Sequence, residues 1–249
     1  MIEARTRGNQ LPAWLTSRPI AHRGLHGAAA PENSLPAFEA AIAAGYPIEL
    51  DVHVLRDGEV VVFHDEDLLR AAGVSRSLLE EDRSSIRAHR LFGGAFGIPT
   101  LREVLALVQG KVPLLIEIKA KHGMPGAARE VFERLVGYSG PLAVQSFDPR
   151  TVAWFHAHAP HIPRGQLSGP LREDPVGALE RFASRRLLTL ALSRPHFVNY
   201  DLRALPDGWL GLLARVTGLA ILCWTVRSEA DLHKARALGL NFVFDHVRP

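Results

Sequence analysis

Cysteine occurs once in the chain, at Cys223. A lone thiol excludes an internal disulfide and a cysteine-ligated zinc site, and its apolar surroundings read as packing. No apolar run reaches the roughly 18 residues that suggest a membrane-spanning helix. The opening MIEARTRGNQLPAWLTS lacks the apolar core of a secretory signal, so the expected compartment is a bacterial-type cytoplasm, with no integral membrane segment. The 29 basic residues form no block, and aromatics, 7% of the chain, do not interleave with them. That argues against a nucleic-acid partner. The net charge of +3 fits an anionic small substrate, though only slightly better than a neutral one.

What is present is alternation. At 249 residues the chain could form one large barrel or two small domains. Strand signals that are apolar nearly throughout (IELDV, PLLIEIK, PLAVQSF, IPRGQL, HFVNYD, LAILCWTV and NFVFD) are separated by helical stretches, including one expected over 174–192. With a short strand over 19–21 they make eight strand–helix units, the last helix missing or replaced by the loose lead-in over 1–18. Such a pattern indicates a parallel sheet covered by helices. It predicts a single-domain (β/α)8 TIM barrel over 1–249. A doubly wound open sheet is the weaker alternative, since no glycine-rich dinucleotide loop follows the first strand. The polar, Arg-rich segment 66–98, after the second strand and its hairpin partner EVVVF, is too long for a connection and predicts a small insertion with short helices.

In such a barrel the chemistry gathers where strands end. Glu49 and Asp51 share one face of their strand, because side chains two apart point the same way. Buried acids call for a cation. With Glu117 they form an all-oxygen set suited to a hard divalent metal, magnesium or calcium; ion-pairing with barrel cations is the plainer reading. His22 and His64 titrate near neutral pH, as a general acid and base must. Arg23 and Lys119 suit an anionic oxygen, and Trp224, at another strand end, is expected to line the substrate pocket. His53 either extends the site or sits at its rim. His156, His158 and His161 fall at a helix end on the opposite face, where they suit a helix C-terminus. Ser34 is the expected N-cap of the helix LPAFEAAIAA.

The motifs AHRG (21–24), PENS (31–34), ELDVHVLRDGEVVVFHD (49–65), EIK (117–119), QSFD (145–148) and WTV (224–226) together resemble the glycerophosphodiester phosphodiesterases. The resemblance spans most of the chain. It implies a TIM barrel with a small insertion after strand two, His22 and His64 as general acid and base, and Glu49, Asp51 and Glu117 as metal ligands. It also implies Arg23 and Lys119 on the phosphate, and hydrolysis of a glycerophosphodiester to sn-glycerol 3-phosphate and an alcohol. Three stretches depart from the family pattern. LLRAAGVSRSLL follows His64-Asp65 where a Thr- and Gly-rich stretch is common, Arg227 stands where Asn is frequent, and FVFDHVRP closes the chain where Thr-Asp is more usual. They leave the alcohol specificity open. Two alternatives to the leading reading are a lysophospholipase D-like activity and a phosphate-binding barrel without turnover. The first would need an apolar groove; Leu68, Leu69, Leu78, Leu79, Leu91 and Phe92 could supply one or could form the insertion's own core.

Overall fold

A computed structural model describes residues 11–120, 126–170 and 187–249. Eight parallel strands close into a barrel: β1 (Ile20–Ala21), β2 (Ile48–Val54), β4 (Leu114–Ile118), β5 (Leu142–Ser146), β6 (Arg164–Ser168), β7 (Phe197–Asp201), β8 (Ala220–Val226) and β9 (Asn241–Phe244). Closure comes from β1, which pairs with both β2 and β9. A short strand β3 (Val60–Val62) folds back antiparallel on β2. The (β/α)8 expectation is borne out. No described helix is long and apolar enough to cross a membrane.

Every residue of β2 is buried, because its two faces enter different interiors. Ile48, Leu50 and Val52 pack outward under the surrounding helices. Glu49, Asp51 and His53 alternate with them and point into the barrel. The barrel floor is apolar, built from Ile20, Leu115, Ala143, Phe197, Leu222 and Val243. Two residues further along each of these strands the inward position changes character, to His22, Glu117, Gln145, Asn199, Trp224 and Asp245. A dry floor thus carries a polar layer at the C-terminal mouth.

The lead-in is not wholly loose. Ala13–Ser17 form a short helix α1, and Trp14 and Leu15 join the floor cluster. Asn241 Nδ2 donates to the carbonyls of Leu15 and Arg18, both at 2.8 Å. Two apolar side chains of the lead-in, the segment expected as the alternative to a missing last helix, therefore join the bottom of the barrel. Most of the helix expected over 174–192 lies outside the described residues, which retain a short helix at Leu190–Ser193. Helix α2 (Leu35–Ala44) starts at Ser34, whose Oγ accepts from Ala37 N, and ends at Gly45 in the left-handed region.

Segment 66–98 consists of short helices, among them α3 (Leu69–Ala72), α4 (Arg83–Ile86) and 3-10 turns at Leu78–Glu80 and Leu91–Gly93. Leu68, Ala71, Leu78, Ile86, Leu91 and Ile98 form a cluster separate from the barrel core, sharing it with Val61 and Phe63. Leu68, Leu78 and Leu91 are thus core residues, while Leu69 and Phe92 are exposed.

Gly24 closes the turn after β1 at φ +82, and a Cβ there would lie 2.9 Å from both the Ala37 carbonyl carbon and the Phe38 ring. Gly24→Ala combines an unfavourable φ with overpacking against backbone. Its thermal midpoint is expected to fall by roughly 5–15 °C; a midpoint within 2–3 °C of wild type, about what 1 kcal/mol produces, would show that the turn relaxes freely.

Candidate active site

The turn after β1 shapes one side of the mouth. Arg23 is held at φ 56, a left-handed conformation uncommon for residues other than glycine. That twist aims its backbone N–H at Glu49 Oε2, 3.1 Å away. Its guanidinium reaches Glu32 Oε1 at 2.7 Å and lies 3.4 Å from Asp51 Oδ2. Asn33, also left-handed at φ 54, bonds Asp51 twice. Its Nδ2 donates to Oδ2 at 2.9 Å, and its Oδ1 accepts from Asp51 N at 3.3 Å. Two left-handed backbone positions, ten residues apart, are thus tied to the acids they contact.

Glu49, Asp51 and Glu117 present carboxylate oxygens within 4.8 Å of one another, all buried. Register explains the geometry: Asp51 pairs with Glu117 across β2 and β4, while Glu49 sits one step deeper, level with Leu115. Depth sets the electrostatics. Burial, then the charges of Asp51 and Glu117, push the Glu49 carboxyl well above the usual carboxylate range. Burial pushes Glu117 up too, against the pull of Lys119. Asp51 is driven upward by burial but more strongly downward by Lys119, His64, Arg23 and His22, and remains ionised.

Lys119 Nζ lies 2.9 Å from Asp51 Oδ1 and 2.5 Å from Glu117 Oε1. Glu117 Oε1 is nonetheless buried with no aligned hydrogen-bond donor. A buried, all-oxygen donor set of three carboxyls clustered at one end of the barrel fits a divalent metal site. Ion pairing and metal binding are compatible here, since once all three acids are ionised Lys119 and Arg23 leave one negative charge over.

Each of the two expected histidines faces a carboxylate. His64 Nδ1 is 2.6 Å from Asp65 Oδ1. His22 Nδ1 lies 3.6 Å from Asp245 Oδ2, beyond hydrogen-bond length. Burial lowers His22 to about 4 despite Asp245, so its ring is neutral at pH 7. Asp245 also receives His26 Nε2 at 2.8 Å and lies 3.8 Å from Arg227 Nε.

His53 is buried rather than at the rim. Its Nε2 is 3.2 Å from the His64 carbonyl, so it fixes the backbone on which His64 stands. Trp224 packs edge-on against Phe147 and donates from Nε1 to the Asn199 carbonyl at 3.2 Å. Asn199 Nδ2 in turn donates to Gln145 Oε1 at 3.0 Å, which extends the polar layer across the mouth. On the opposite face His156 Nδ1 meets Arg164 and His158 Nδ1 meets the Trp154 carbonyl.

All eight sequence-selected residues therefore stand at one end of the barrel. Sequence reasoning gave no role to Asn33, Asp245 or Glu32. Asn33 and Glu32 lie inside the PENS motif, and Asp245 is two residues past inward-facing Val243, so strand alternation alone would have aimed it at the mouth.

A model of the glycerophosphoryl diester phosphodiesterase family matches residues 22–247. The Bacillus subtilis protein YhdW is 32% identical over 231 residues, covering 89% of this chain and 91% of that protein. A glycerophosphodiester phosphodiesterase of Bacillus subtilis is 27% identical over 268 residues, covering 98% of this chain and 87% of its own. Among solved structures, a phosphodiesterase from Oleispira antarctica in complex with the product sn-glycerol-3-phosphate aligns with a TM-score of 0.77 at 24% identity, over 92% of each chain. It shares the fold.

Proposed function

The chain belongs to the glycerophosphoryl diester phosphodiesterase family, and from that premise we propose that it hydrolyses glycerophosphodiesters to sn-glycerol 3-phosphate and an alcohol at the mouth formed by His22, His64 and the three acids. The observation that carries this reading is the buried Glu49–Asp51–Glu117 trio sharing one barrel end with two histidines that each face a carboxylate.

Glu49, Asp51 and Glu117 would hold magnesium or calcium, which when bound neutralises the phosphodiester and stabilises charge on its oxygens. The chain's own groups do the rest. Arg23 and Lys119 orient the anionic phosphate, and Trp224 walls the pocket. His22, neutral and buried, takes the proton of the attacking hydroxyl as its oxygen bonds to phosphorus. Water gives sn-glycerol 3-phosphate directly, whereas the substrate's glycerol hydroxyl gives a cyclic phosphate that water then opens. His64, whose Nδ1 is held by Asp65, keeps Nε2 for the departing oxygen and donates a proton to it as the P–O bond to the alcohol breaks.

The test is coupled detection of sn-glycerol 3-phosphate released from glycerophosphocholine, with EDTA, magnesium or calcium present. Release that depends on added metal is expected. No release by folded, metal-loaded protein would defeat the reading. A lysophospholipase D-like reaction is the second reading, favoured by the exposed Leu69, Phe92 and Phe96 on the insertion. It would take precedence if micellar lysophospholipid were cleaved faster than glycerophosphocholine.

A further inference from the structure

One arginine of the insertion is bonded to the partners of two separate site residues. Arg70, on α3, donates from Nε to Asp65 Oδ2 at 2.6 Å and from Nη2 to Asp65 Oδ1 at 3.1 Å. The same guanidinium donates to Glu32, from Nη2 to Oε1 at 2.6 Å and from Nη1 to Oε2 at 3.2 Å. Asp65 is the carboxylate on His64 Nδ1, and Glu32 is the carboxylate on the Arg23 guanidinium. We propose that Arg70 is a positioning residue, a clamp by which the insertion sets the orientation of both His64 and Arg23. The proposal rests on the reading of the site given above.

The geometry distinguishes this clamp from an ordinary surface ion pair, which contributes little. Both carboxylates are mostly covered, Glu32 at 16% and Asp65 at 19% side-chain exposure. Each is shared between Arg70 and a site residue, so each would lose a fixed rotamer if the guanidinium left. The planar fork of arginine spans two carboxylates, a task for which lysine is a poor substitute. The guanidinium is itself held in place. Its outer side meets the Phe92 ring at 5.7 Å, and its helix is anchored by Leu68 and Ala71 in the insertion's own core.

Two arms lead to two kinetic effects. The Asp65–His64 arm acts on proton donation and should move kcat. The Glu32–Arg23 arm acts on phosphate binding and should move KM. Arg70→Ala is expected to lower kcat about tenfold and raise KM several-fold, the loss of one or two charge-assisted bonds, while Arg70→Lys recovers only part. Arg70→Ala placed on Asp65→Asn should change kcat no further, and placed on Glu32→Gln should change KM no further. Effects that multiply in these cycles, or an Arg70→Ala enzyme with wild-type kcat and KM, would overturn the clamp. If the wild-type chain released no product at all, the functional reading would fall by itself. Ring-nitrogen NMR of labelled histidine would still decide the clamp. A His64 Nδ1 proton signal sharp in wild type and exchange-broadened in Arg70→Ala supports it, and identical signals refute it.

Discussion

His64→Ala and His22→Ala are each expected to lower kcat by about 10²–10⁴-fold, the range typical for a positioned acid or base, with fold and metal binding retained. The two losses should respond differently to the substrate. An acid is needed most when the departing alkoxide is a strong base, so a glycerophosphodiester of a phenol with an electron-withdrawing group should restore much of the rate to His64→Ala. The same substrate should do little for His22→Ala, because activating the nucleophile does not depend on the leaving alcohol. The environments motivate this order. His22 is buried and lowered to about 4, a ring that enters the reaction neutral. His64 Nδ1 is held 2.6 Å from Asp65 Oδ1, which leaves Nε2 as the ring nitrogen for the departing oxygen. Restoration of His22→Ala instead of His64→Ala would exchange the roles, and a near-normal rate in either variant with glycerophosphocholine would remove that residue from the chemistry.

The barrel was legible because its information is local and periodic. Apolar strands broken by helix signals need no long-range knowledge, and an acid two residues from another on such a strand must share its face. The same arithmetic collects His22, Glu49, Asp51, Glu117, Lys119 and Trp224 at one end. What stayed hidden depends on contacts between distant segments. Asn33 reads as a loop residue until β2 places Asp51 against its amide. Arg70 reads as a solvated charge on a short helix until the turn after β1 brings Glu32 beside it, 38 residues away in sequence. His53 could be assigned to a rim or to the interior, and only the β2–β3 hairpin, which pairs it with Val61 and sets its ring against the His64 carbonyl, buries it. The helix α1 shows the opposite failure. Its two apolar residues are too few to produce a periodic signal, yet Trp14 and Leu15 complete the barrel floor.

Removing divalent metal is expected to abolish turnover, and the acid trio predicts how the dependence should change with sequence and pH. Without a cation, burial and mutual repulsion hold Glu49 and Glu117 above the usual carboxylate range, while Asp51 stays ionised beside Lys119. A metal must therefore displace protons from the trio, and its binding weakens as pH falls. The metal concentration for half-maximal activity should rise on acidification. Glu49→Gln and Asp51→Asn should each raise that concentration at pH 7 by tenfold or more, roughly the loss of one charged ligand. The two should differ when metal-free. Glu49→Gln removes the deepest and most strongly repelled carboxyl, so its midpoint without metal should equal or exceed that of wild type. Asp51→Asn strips a charge partner from Lys119, Arg23 and Asn33 and should lower the midpoint, because a buried cation left unpaired is costly. Metal should raise the wild-type midpoint and neither variant's to the same extent at equal concentration. Equal metal-induced shifts in all three proteins would place the ion elsewhere, and turnover that survives exhaustive chelation would show that histidines, Arg23 and Lys119 suffice without it.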